Sequence, residues 1–150
     1  MVLAIAGLIM VLVFTGVQGA QRSRRDAVRK VSLDSFVTRV IQFASNNGGR
    51  LPQASDLYTA CSGDQANGCS IGQTEPGFQN DYFSDSTAPL WRDPSTGTVY
   101  QLIYTNSGAD PRCSGFPATP GGLGRIRLFI TPTVSTASVL LENGCYTLNI

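Results

Sequence analysis

The chain has 150 residues, with eleven basic and ten acidic side chains, four cysteines, no histidine and a net charge of +1. That length suits a single small domain, and the near-neutral balance gives no general electrostatic case for nucleic acid as a partner. Without histidine there is no Ser/His or Cys/His nucleophile arrangement. No Walker or dinucleotide glycine pattern is present either, so an enzyme, a cofactor and a small-molecule substrate are not expected.

The first seventeen residues, Met1 to Val17, are uncharged and mostly apolar. A helix is expected to run through them, through the charged stretch Arg22 to Lys30, and on to about Ser45. At 1.5 Å per residue the apolar run spans about 25 Å, somewhat less than the ~30 Å hydrocarbon core of a bilayer. A signal peptide fits poorly, because no basic residue precedes the run and Gln18 stands where a small residue is wanted before Ala20. A membrane-spanning helix lacking its first turn fits better. The arginines that follow would place the rest in the cytoplasm by the positive-inside rule, whereas the cysteines and the Ser/Thr/Gly-rich remainder suggest export. A basic leader upstream of Met1 reconciles the two.

Gly7, Gly16 and Gly19 interrupt this half, each costing about 1 kcal/mol of helix propensity relative to alanine. They permit close helix packing, or they mark a segment that unwinds. In the second half Leu33, Phe36, Val37, Val40, Ile41 and Ala44 recur at helical spacing and predict an apolar stripe against a head. Asn46-Asn47-Gly48-Gly49 is the stop signal. Between Arg22 and Arg39 six basic residues stand against Asp26 and Asp34, whereas five arginines face eight carboxylates from Arg50 onward. A basic stem and an acidic head could therefore attract each other in neighbouring copies, with Arg24, Arg25 and Arg29 buried between them.

Residues 48–94 hold mainly turn chemistry, with a short helix expected near Ala54 to Thr59. Strands are predicted at Val99 to Thr105, at Arg125 to Ile130 with Ile126, Leu128 and Ile130 inward, and at Ala137 to Glu142 and Cys145 to Ile150. Asn143-Gly144 between the last two is a type I′ hairpin signal. Pairing across it puts Val139, Leu141, Tyr146, Leu148 and Ile150 on the face that meets the helix. The four cysteines permit three pairings. The favoured set is Cys61 with Cys69 and Cys113 with Cys145. With no histidine and no Cys-x-x-Cys pair, a metal is not expected. Asp81, Asp85 and Asp93 do not match a calcium loop and are read as solvated. Tyr82, Phe83, Trp91 and Tyr100 are read as packing residues before a sticky surface.

Three stretches carry a resemblance. Met1-Val2-Leu3-Ala4-Ile5-Ala6-Gly7-Leu8-Ile9-Met10-Val11-Leu12-Val13 is similar to the segment that follows the Phe-Thr-Leu-Ile-Glu opening of mature type IV pilins and pseudopilins. That opening, with the glutamate that neutralises a neighbour's terminal amine, is not in this sequence; the expectation is that the mature protein begins a few residues upstream of Met1. Trp91-Arg92-Asp93-Pro94-Ser95-Thr96-Gly97-Thr98-Val99-Tyr100 resembles the Asp-Pro-x-x-Gly-x-x-Tyr turn before the first main strand of many pilins. Val139-Leu140-Leu141-Glu142-Asn143-Gly144-Cys145-Tyr146 is similar to the Leu-Glu-x-Gly and nearby Tyr and Cys of the last hairpin in pilins from Gram-positive and candidate-phylum bacteria.

The resemblance implies an α+β pilin fold, a long helix on a small antiparallel sheet, with residues 1–25 as the membrane and filament-core segment and 26–150 as the head. It implies assembly through Met1, Val2, Leu3, Ile5, Gly7, Leu8, Ile9, Val11, Leu12, Phe14, Gly16, Gly19, Arg24 and Arg25. The implied partners are further copies in a helical homopolymer, the cytoplasmic membrane before assembly, a leader peptidase, an assembly ATPase and a platform protein. The implied setting is a surface filament serving adhesion or motility. A secretion pseudopilin and a membrane-anchored surface-binding domain that never polymerises are the alternatives.

Overall fold

A computed structural model describes residues 2–57, 69–71, 82, 91–106 and 123–150. Its dominant element is α1, Val2–Asn46, a single helix of 45 residues and about 68 Å at 1.5 Å per residue. The stop at its end is built as the residue types require. Gly48 and Gly49 take φ of 66° and 86°, and the Gly49 N–H reaches back to the Ala44 carbonyl at 2.7 Å, the six-residue closure of a glycine-terminated helix. The Asn47 side-chain amide donates at 2.9 Å to the Phe43 carbonyl, which also accepts from the Asn47 backbone N–H at 3.0 Å, a doubled closure of the last turn.

The head is a five-stranded sheet in the order β1-β2-β3-β4-β5: β1 Cys69–Ser70, β2 Gln101–Thr105, β3 Arg125–Ile130, β4 Ser135–Leu141 and β5 Gly144–Asn149. A one-turn helix, α2, covers Ala54–Leu57. The architecture is therefore α+β, but the sheet is mixed and not antiparallel. β2 runs parallel to β3, with Leu102 opposite Ile126 and Tyr104 opposite Leu128. Parallel neighbours need a crossover of a dozen or more residues, which residues 106–124 supply. The other pairs are antiparallel.

α1 packs across β4 and β5. Leu33, Phe36 and Val40 on the helix are fully buried, as are Ala137 and Val139 on β4 and Ile126 and Leu128 on β3. Leu141, Tyr146, Leu148 and Ile150 pack around them, which is the face expected from alternation. The helical stripe differs at two positions. Phe43 is buried and Ile41 is 53% exposed. Both lie about 80° from Leu33 around the helix at 100° per residue, on opposite sides, and the head covers only the Phe43 side. Trp91 and Tyr100 are core residues, and Tyr82 packs against the core with its ring 5.9 Å from that of Phe43. Phe83 lies outside the described residues.

The β4–β5 turn also differs from expectation. Leu141 pairs with Gly144, so the two loop residues are Glu142 and Asn143 rather than Asn143 and Gly144. Neither has positive φ, which excludes the type I′ turn; the glycine opens β5 at φ 127° instead. The register shift has its cause in a contact with the helix, because the Glu142 N–H is held by the Asp26 carboxylate of α1 at 2.9 Å.

Candidate functional site

Two surfaces of unlike character meet where α1 reaches the head. Upstream, the helix is bare. Leu3, Ile5, Leu8, Ile9, Val11, Leu12 and Phe14 are all more than half exposed, and the most apolar 18-residue window has mean hydropathy 2.1 with none of it buried. Gly7, Gly16 and Gly19 lie within continuous helix. Among the described residues, no atom outside the helix's own backbone comes within 4 Å of where a Cβ would stand on any of them. Met1 lies outside the described residues.

Immediately downstream stands a clamp built on Arg29, which has no solvent exposure. Its guanidinium takes the Asp93 carboxylate at two points, Nε to Oδ2 at 2.8 Å and Nη2 to Oδ1 at 3.3 Å. Nη1 donates to Asp26 Oδ1 at 2.8 Å and to Glu142 Oε1 at 3.5 Å, and Nη2 to Ser95 Oγ at 2.8 Å. An arginine carries five N–H donors, and all five are used. One turn earlier, Arg25 grips Glu142 in the same forked manner, Nε to Oε1 at 2.6 Å and Nη2 to Oε2 at 3.1 Å. Two-point arginine–carboxylate pairs fix orientation as well as distance, so α1, the Asp93 turn and the β4–β5 hairpin are locked in one geometry.

The Asp93 side is prepared by its own turn. The Asp93 carbonyl accepts from the Gly97 N–H at 2.8 Å, with Gly97 at φ 68°. Asp93 Oδ1 accepts from the Ser95 and Thr96 N–H groups at 2.9 and 3.1 Å, the short-range bonding that aspartate favours in turns. Burial pushes the Asp93 carboxyl upward, but the bonds from Arg29 and Ser95 outweigh it and hold the pKa at about 2. The bond from Arg25 holds the Glu142 carboxyl below the ordinary range. Burial, reinforced by the Asp93 charge, pushes the neighbouring Tyr100 phenol up to about 12.

Two of the motifs that carry the pilin resemblance, the Asp-Pro turn and the Leu-Glu-Asn-Gly hairpin, thus converge on one helical arginine. Spacing alone carried a signal for this, since Arg29 stands four residues before Leu33 and seven before Phe36, on the same buried stripe. Of the sequence-predicted assembly residues, Arg24 is exposed, while Arg25 is engaged inside the chain. Asp93 is an ion-pair partner and not a solvated carboxylate; Asp81 and Asp85 lie outside the described residues. Cys145 is disulfide-bonded. Cys61 and Cys113 lie outside the described residues, and so does the side chain of Cys69, whose backbone forms β1. Among the described residues no group of three metal-ligating side chains occurs.

Compared with known proteins, the chain matches no family model, no curated protein and no solved structure.

Proposed function

We infer that the chain is a type IV pilin-like subunit, held in a membrane by the first half of α1 and then assembled through that half into a helical filament whose surface is the head. The single observation that carries this reading is the division of α1: one continuous helix, bare and apolar up to Gly19 and clamped to a folded head from Arg25 onward. A helix apolar all round must be covered by lipid or by other helices. The uncharged segment Val2–Gln21 extends about 30 Å, the thickness of a hydrocarbon core. The three glycines support helix–helix assembly in particular. Each costs about 1 kcal/mol of propensity, and nothing among the described residues packs on them, whereas close approach between apolar helices is what small residues permit.

One observation favours the alternative of an anchored surface domain that never polymerises. Arg25 and Arg29 are paired within the chain, leaving fewer basic groups to bind neighbours. Electron microscopy of material sheared from cells that produce the full chain, with mass spectrometry of that material, separates the two. Filaments containing this chain support the pilin reading; recovery only from the membrane fraction, with no filaments, rejects it.

A further inference from the structure

Of the six cations that follow the apolar segment on α1, three are engaged with the head. Arg25 and Arg29 are taken by Glu142, Asp26 and Asp93, and Lys30 sits with its Nζ 5.4 Å from the Tyr146 ring centre. Arg24 is exposed and has no ion pair or hydrogen bond among the described residues. Arg22 is 58% exposed and meets Glu142 only at 3.9 Å. The carboxylates at this level, Asp26 and Glu142, are already committed to Arg25 and Arg29. Two arginines therefore remain available within one turn of the apolar boundary. Separated by two positions, they project about 200° apart, on opposite sides of the helix.

We propose that Arg22 and Arg24 form a collar that binds the phosphates of anionic phospholipids, so that the anchored subunit gathers acidic lipid around its helix. The proposal rests on the membrane reading above and adds the lipid chemistry. Position argues for lipid over nucleic acid: once Val2–Gln21 occupies the hydrocarbon, both guanidinium groups are held in the headgroup layer, where phosphates surround the helix and a stiff duplex cannot reach both sides. Placement on opposite sides suits a ring of lipids. Basic residues next to a spanning helix are attracted to anionic headgroups with a strength worth up to about fivefold each, within a Debye length of the surface.

The test is lipid selectivity around the full chain reconstituted in mixed vesicles, using spin-labelled phosphatidylglycerol and phosphatidylcholine as probes and protease protection of the apolar helix as the insertion check. The expected result is a severalfold preference for phosphatidylglycerol that collapses toward one in 1 M salt. It should be lost in the R22Q/R24Q variant and kept in R39Q, whose arginine is also exposed but about 23 Å further along the helix from Arg24. An inserted helix with equal occupancy by both lipids overturns the proposal alone, as does a preference that R22Q/R24Q retains. A helix left open to protease in every vesicle overturns the membrane reading and the collar with it. Duplex DNA held on phosphatidylcholine vesicles through Arg22 and Arg24, without lipid preference, assigns the collar to nucleic acid instead.

Discussion

Arg29 and Asp93, 64 positions apart in the chain, form a two-point ion pair with neither side chain exposed to solvent. A buried pair of this kind is weak evidence for net stability, because desolvation offsets the attraction, yet removing one partner strands the other charge. The pair's evident role is to fix where the helix leaves the head. Asp93→Asn should cost about 3 kcal/mol in denaturant unfolding of the head. Arg29→Met combined with Asp93→Asn should cost less than the sum of the two single changes by 1 kcal/mol or more. Additive losses would mean that the two side chains stabilise the head independently.

Acid should release the clamp in a defined window. Asp93 is held at about 2 against an ordinary 3.8, and Glu142 is also lowered. A depressed carboxylate contributes stability that is complete above its unfolded pKa and is lost as pH falls through the folded value. The denaturation midpoint should therefore hold from pH 7 to about 5 and fall between about 4 and 2, and Asp93→Asn should flatten that fall. A midpoint falling instead between pH 7 and 5 would point to other groups.

Where the stem can be cut follows from the same geometry. A chain starting at Gln21 loses the bare helix but keeps Arg25, Asp26 and Arg29, and should be a folded monomer by sedimentation and circular dichroism. A chain starting at Lys30 loses all three clamp residues and should be less stable, by roughly 3 kcal/mol or more. Equal stability of the two would show that the apolar stripe alone holds the helix to the sheet.

The helix and most of the sheet were legible in the sequence because period and stop signals act locally. Leu33, Phe36 and Val40 repeat at helical spacing, Gly48-Gly49 cannot continue the helix at low cost, and Ile126, Leu128, Val139, Leu141, Tyr146 and Leu148 fall at alternate positions of their strands. Three features were not legible, each set by long-range contact. The parallel pairing of β2 with β3 depends on how a long connection folds back. The turn at Glu142-Asn143 is displaced by Asp26, which an Asn-Gly rule does not see. Arg29 was read as a filament-facing cation because charge normally marks the wet side of a helix; here two turns of the head supply carboxylates that make its burial possible.

The bridge at Cys145 ties the last hairpin to a partner in the chain. Proteolysis without reduction should link the Cys145 peptide to that of Cys113, and Cys145→Ser should cost about 2–4 kcal/mol. A link to the Cys61 peptide would instead tether the early loop to the edge strand.

The central claim, that the bare half of α1 is the assembly element and the clamped head is carried outside it, is tested most directly by an electron cryomicroscopy reconstruction of filaments sheared from cells making the full chain. The expected density shows helices packed along the filament axis, with Leu3 to Val17 covered by neighbours, Gly7, Gly16 and Gly19 at close crossings, and the Arg29–Asp93 pair intact in every subunit. Filaments with the apolar half exposed at the periphery, or cells in which the chain stays a membrane-bound monomer, would contradict it.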